Sequence, residues 1–319
     1  MFSKSPTDLF PEIEPFHSCH LSSKDGHEIY VEQSGNPNGQ PILFLHGGPG
    51  GGTGAKQRRF FDPKHYLIIL FDQRGCGQSK PLGEIKDNTT AHLLDDIEAI
   101  RKHFKIDSWI LFGGSWGSSL ALEYAINYSD KVKGLILRGI FLSRESELNW
   151  FLRDVEHFFP ELYKKLIDHR PGINKDNLIE KYSQLIFHGS QDEAEKAAFS
   201  WNQFEGSILK LFPDEGVGEV DSINYAFELA RAKVQIHYII NNCFINGEEI
   251  LDKANVLKSK PIVIVQGRYD MVCPPKTAYE LTVKLPQAKL IMVPDAGHSA
   301  SEKGTLSALI KATEDFKSL

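Results

Sequence analysis

Three residues far apart in this chain, Ser115, Asp270 and His298, are of the types that together activate a hydroxyl group. A serine hydroxyl is a poor nucleophile until a base takes its proton. An imidazole serves as that base when a partner fixes its tautomer and stabilises the imidazolium. Ser115 lies in Gly113-Gly114-Ser115-Trp116-Gly117, a Gly-x-Ser-x-Gly pentapeptide between an apolar run and a helical stretch. At a sharp strand-to-helix turn, flanking glycines leave room around a strained nucleophile. Asp270 closes Gly267-Arg268-Tyr269-Asp270, and His298 lies in Asp295-Ala296-Gly297-His298-Ser299. Ser115 is the expected nucleophile, His298 the general base and Asp270 the residue that orients it. Asp295 is the rival acid, but it lies too near His298 on the same loop.

The developing oxyanion of acyl transfer needs aimed N–H donors. His46-Gly47-Gly48-Pro49-Gly50 follows an early apolar run and is open to close backbone approach. The two donors are assigned to the backbone of Gly48 and Trp116. The glycines of this loop do not make a phosphate loop, because the Lys-Ser/Thr that such a loop requires is missing. Chemistry through a carboxylate nucleophile is excluded, since a serine stands at position 115.

These residues must be held by elements, and the hydrophobic pattern supplies them. Short apolar runs at Ile42–Leu45, Tyr66–Phe71, Trp109–Phe112, Val132–Leu137, Pro261–Val265 and Leu290–Val293 read as buried strands. Leu21 and Glu28–Val31 flank an Asp25-Gly26 hairpin turn. Thr89 or Thr90 is positioned to cap a helix whose apolar face is Leu93, Ile97, Ile100 and Phe104. Strands alternating with amphipathic helices predict a mostly parallel sheet covered on both faces. In such sheets functional residues gather beyond the C-terminal strand ends. The alternation stops near Phe141 and resumes after Asp252. The expected organisation is a core of residues 1–140 and 253–319, interrupted by a helical cap of residues 141–252.

Charge separates the same segments. The 319-residue chain carries a formal net charge of −6, yet Phe141 to Asp252 alone holds 20 acidic and 11 basic residues. That middle third also holds 16 of the 34 aromatic residues. An acidic, aromatic cap over a serine nucleophile suits a small cationic substrate with an apolar body. The overall acidity gives no reason to expect nucleic acid. No apolar run approaches the roughly 20 residues that span a bilayer, and Met1–Pro6 lacks the order of a secretory signal. Cys19, Cys76, Cys243 and Cys273 have no metal-type or redox-type spacing, so a reducing, cytoplasmic setting is expected, with no metal or cofactor.

Several blocks of sequence resemble proline iminopeptidase (prolyl aminopeptidase), a serine peptidase family of the α/β-hydrolase fold. They include His46-Gly47-Gly48-Pro49-Gly50-Gly51-Gly52, Asp72-Gln73-Arg74-Gly75-Cys76-Gly77-Gln78-Ser79, Gly113-Gly114-Ser115-Trp116-Gly117-Ser118, Leu137-Arg138-Gly139-Ile140-Phe141 and Gly267–Pro274. The resemblance implies release of N-terminal proline from small peptides with a free amino terminus, without a metal. It also implies that cap carboxylates bind that terminus. Trp201-Asn202-Gln203-Phe204-Glu205-Gly206 looks like the block carrying one, at Glu205. The block carrying the second matches Gln235-Ile236-His237-Tyr238, where the acid is replaced by an amide. Phe141, Trp150 and Arg138 are the further candidates for substrate contact. The alternative function on this scaffold is that of a small-molecule esterase or amidase, and a non-catalytic binding protein is a more remote one.

Overall fold

The computed structural model describes residues 8–212 and 223–319. The N-terminal signal reading at 1–6 and residues 213–222 of the expected cap fall outside them. Eight strands form one sheet: β1 (His17–Ser22), β2 (Glu28–Gly35), β3 (Gln40–Leu45), β4 (Tyr66–Phe71), β5 (Trp109–Gly114), β6 (Val132–Arg138), β7 (Ile262–Gly267) and β8 (Lys289–Val293). Their order across the sheet is β1-β2-β4-β3-β5-β6-β7-β8. β1–β2 and β2–β4 pair antiparallel, and every later pair is parallel. Side chains of β4, β5 and β7 are buried along their whole length. A strand covered on both faces has no solvent side, which is why these runs show no alternation.

Eleven helices are described: α1 (Ala55–Arg58), α2 (Thr90–His103), α3 (Trp116–Asn127), α4 (Glu145–Leu152), α5 (Pro160–Ile167), α6 (Leu178–His188), α7 (Gln191–Ser207), α8 (Tyr225–Ile240), α9 (Gly247–Lys253), α10 (Pro275–Lys284) and α11 (Lys303–Asp315). Two apolar clusters fill the two faces of the sheet. One is built around Leu43, Ile69, Trp109, Leu111 and Trp116, the other around Ile42, Phe61, Tyr66, Ile110 and Ile310. Thr89 is the N-cap of α2, but its hydroxyl bonds the His92 ring (2.8 Å) and not a backbone N–H. The capping bond expected from sequence is therefore not made.

Between β6 and β7 the chain is helical, and this stretch buries an apolar cluster of its own. Phe151, Tyr163, Tyr182, Trp201, Phe204 and Ile236 belong to it. α4 is fastened to the sheet domain by Arg144, whose guanidinium reaches Glu280 (2.6 Å) and Thr277 (3.0 Å) on α10. Glu147 of α4 accepts from the backbone of Leu142 (2.9 Å) and from the Thr277 hydroxyl. α4 is thus tied to α10 by charge-assisted bonds.

Candidate active site

β5 ends at Gly114 and α3 begins at Trp116, leaving Ser115 alone on the turn. Its backbone sits at φ 57°, ψ −130°. A non-glycine residue held in such a region costs about 1–3 kcal/mol and persists when its surroundings fix it. Here the Ser115 N–H donates to the Arg138 carbonyl (2.8 Å). The Ser115 carbonyl accepts from the Ser118 N–H (2.8 Å) and hydroxyl (2.7 Å). The flanking glycines are required by contact. A Cβ at Gly113 would lie 2.2 Å from the Gly117 carbonyl oxygen, and one at Gly117 would lie 2.1 Å from that of Leu45.

Asp270 follows β7 and His298 follows β8, so both reach the same sheet end as Ser115. His298 Nδ1 stands 2.7 Å from Asp270 Oδ2, and both residues are buried. The other carboxylate oxygen of Asp270 accepts from the N–H groups of Val272 (3.0 Å) and Cys273 (2.7 Å). Gln266 Nε2 adds a bond to Asp270 Oδ2 (3.2 Å). A carboxylate with donors on both oxygens is held in place. Asp295, the rival acid, is exposed.

Arg138, expected at the substrate, is engaged by His298 instead. Its Nη1 is 2.9 Å from His298 Nε2 and 3.0 Å from the His298 carbonyl oxygen. Burial pulls the basicity of this guanidinium down, while the charge of Asp270 opposes that shift. A guanidinium has no acceptor atom, so Nε2 must be the unprotonated ring nitrogen and Nδ1 carries the proton toward Asp270. That is the tautomer a general base needs. The residue at the end of β6 reached this position because β6 lies beside β5 and β7.

The loop His46–Gly52 packs against the Ser115 turn. A Cβ at Gly47 would lie 3.2 Å from that of Ser115, and Gly48 adopts φ +118°. Gln73, which no chemical reading of the sequence singled out, links Trp116 to His46 at the start of this loop. Its side chain accepts from Trp116 Nε1 (2.8 Å) and donates to the His46 carbonyl (2.9 Å). Its backbone N–H donates to His46 Nε2 (3.0 Å). Burial pulls the pKa of His46 down, favouring the neutral ring that can accept this bond.

A pocket opens over Ser115. Gly48, Phe141, Phe151, Glu205, Gln235 and Cys273 are among its walls, with Leu148, Ile239 and Val272 adding apolar surface. Trp150, expected to wall this pocket, points elsewhere. Its Nε1 donates to the Met271 carbonyl (2.8 Å) and its ring packs on Phe158. One residue along the helix, Phe151 faces the pocket in its place.

Glu205 and Gln235 are both buried and in contact, Gln235 Nε2 donating to Glu205 Oε1 (3.0 Å). The Gln235 carbonyl, which sequence reasoning offered to the substrate, is taken by Trp201 Nε1 (2.6 Å). Glu228, an alternative acid, is held by Asn202 (2.5 Å) and does not line the pocket. The Cys273 thiol is pushed well above its ordinary pKa by burial first, then by the charge of Asp270. Among the described residues, no three His, Cys, Asp or Glu are grouped as a metal site would need. No helix among them is long and apolar enough to cross a membrane. The arrangement offers a strained hydroxyl, an oriented imidazole, a glycine loop beside them and one buried carboxylate in the wall of a largely apolar pocket.

Residues 40–305 match the model of the α/β hydrolase fold family. The chain is 44% identical over 310 residues to a protein of Leptolyngbya boryana named probable proline iminopeptidase, covering 97% of this chain and 96% of that one. It is 43% identical over 314 residues to the proline iminopeptidase of Xanthomonas citri, covering 97% and 99%. Against the proline iminopeptidase of Arabidopsis thaliana it is 42% identical over 315 residues, covering 98% and 82%. Among solved structures, an α/β hydrolase from a Medee basin deep-sea metagenome library superposes with a TM-score of 0.60 at 17% identity, covering 93% of this chain and 97% of that one. An esterase from Exiguobacterium antarcticum superposes with a TM-score of 0.59 at 18% identity, covering 95% and 100%. At such identities the structural likeness speaks for the fold alone.

Proposed function

This chain belongs to the proline iminopeptidase family of α/β hydrolases and is a prolyl aminopeptidase, and we propose that Ser115, His298 and Asp270 carry its reaction. The Ser115 hydroxyl attacks the carbonyl carbon of the N-terminal proline as His298 Nε2 takes its proton. For this the imidazole exchanges its contact with Arg138 for one with Ser115, while Asp270 goes on accepting from Nδ1–H and stabilises the imidazolium. The tetrahedral oxyanion accepts from the N–H groups of Gly48 and Trp116. Collapse expels the rest of the peptide as an amine that takes the proton from His298, leaving a prolyl ester on Ser115. Water, deprotonated by the same imidazole, then releases proline.

The pocket sets the specificity. Phe141 and Phe151 are the proposed walls for the pyrrolidine ring, and Glu205 the acceptor for the secondary ammonium. The observation that carries this reading is a buried carboxylate in the same small pocket as a strained serine. A neutral acyl group would gain no charge-assisted contact from that carboxylate, whereas a substrate ammonium would. The helices between β6 and β7 act as a cap in this reading, supplying Phe151, Glu205 and Gln235. Four unpaired cysteines support a reducing compartment, the cytoplasm.

A panel of aminoacyl-naphthylamides tests the function. The prolyl compound is cleaved with the highest kcat/KM, and blocking its amino group lowers that value by roughly a hundredfold or more, about 2.7 kcal/mol. Equal rates for free and blocked prolyl substrates would point to the esterase or amidase reading instead.

A further inference from the structure

α8 carries a second polar residue toward Glu205 besides Gln235. Arg231 lies four residues earlier, on the same helical face, and its Nη2 is 2.8 Å from Glu205 Oε2. Glu205 therefore receives one neutral bond, from Gln235, and one full positive charge, from Arg231. The group that would bind the substrate's ammonium already has a cation on it. Trp201, Gln235, Glu205 and Arg231 form one line of hydrogen bonds across α7 and α8. Its formal charge sums to zero, since one carboxylate meets one guanidinium.

The environment of Arg231 differs from that of its partner in a way that bears on motion. The Glu205 side chain is 8% exposed and that of Arg231 27%. Arg231 Nε is buried with no hydrogen-bond partner. The arginine thus has a route to water and gives up an unsatisfied donor on leaving. Glu205 has neither option.

We propose that Arg231 is a specificity-determining residue: its guanidinium holds, on Glu205, the place that the substrate's ammonium takes, and productive binding requires it to withdraw. This rests on the reading of Glu205 as the acceptor of the free amino terminus. When only a fraction of molecules is competent to bind, the apparent affinity falls by that fraction. The arginine therefore raises KM without touching the steps that set kcat. It also discriminates against weakly basic N-termini, which compete poorly with a permanent cation.

The test is the KM of Arg231→Ala and Arg231→Met for prolyl-naphthylamide, the methionine keeping most of the packing if alanine loosens the helix. Both should lower KM by roughly tenfold with kcat little changed. Arg231→Lys, which keeps the charge, should return KM toward the wild-type value. Guanidinium ion added to Arg231→Ala should act as a competitive inhibitor. A raised KM that guanidinium restores would show instead that Arg231 positions Glu205, and an unchanged KM would show that it does neither; both overturn the proposal. Glu205→Gln separates this from the underlying reading. If it leaves KM for prolyl-naphthylamide unmoved, Glu205 is not the amine acceptor. If it raises KM while the Arg231 variants do not lower it, Arg231 alone has been misassigned.

Discussion

Cys273 lines the pocket beside Ser115, yet burial and the neighbouring charge of Asp270 keep its thiol protonated. The thiolate is the reacting species, and below the pKa its fraction rises roughly tenfold per pH unit. Alkylation of Cys273 by iodoacetamide should therefore be far slower than that of a free thiol near neutral pH. It should accelerate steadily toward alkaline pH and block activity as it proceeds. Inactivation followed across pH, with Cys273→Ser as control, checks this; fast inactivation with a flat profile would mean an activated thiol. At this scale the three candidate residues stood out in the sequence because each is a chemical type in a glycine-marked turn. The partners of Gln235 were not. Its amide is spent on Trp201 and Glu205, both on α7, and a sequence does not say which face of one helix meets which face of another. Trp150 failed for the same reason, by one step of helical phase.

Between elements, Glu98 shows how α2 is locked to α3, the helix that follows Ser115. Its carboxylate accepts from Arg101 (2.7 and 2.9 Å) on its own helix and from the Tyr124 hydroxyl (2.7 Å) on α3. The Arg101 bond foremost, then that of Tyr124, holds the Glu98 carboxyl at about 2, below its ordinary 4.5. A depressed carboxylate stabilises the fold in full above the unfolded pKa, and that contribution disappears as pH falls through the folded one. Glu98→Gln should cost about 2 kcal/mol near neutral pH. The variant and the wild type should converge as pH drops from about 4.5 to about 2. Urea denaturation at both ends of that window measures it, and a pH-independent difference would contradict the assignment. The strands were legible from their apolar runs, but β5 and β7 extend into Gly113-Gly114 and Gln266-Gly267. Backbone pairing continues there without any apolar side chain to announce it. Helix boundaries in the stretch between β6 and β7 were not legible either, because that stretch has a core of its own and its apolar residues serve two partners.

Across the whole molecule, the parallel order β5-β6-β7-β8 brings three loops to one edge and makes a site from residues 155 and 28 positions apart in sequence. The class of fold followed from alternating strands and helices, whereas the place of β3 between β4 and β5 did not, since pairing of non-consecutive strands leaves no local trace. The arrangement makes one claim above all others, that proline is carried as an ester on Ser115. Acid quench of the enzyme during turnover of a prolyl ester, followed by peptide mass spectrometry, tests it directly. A mass increment of one prolyl residue is expected on the peptide containing Ser115, and it should be lost in Ser115→Ala. No adduct, or an adduct on Cys273, would contradict it.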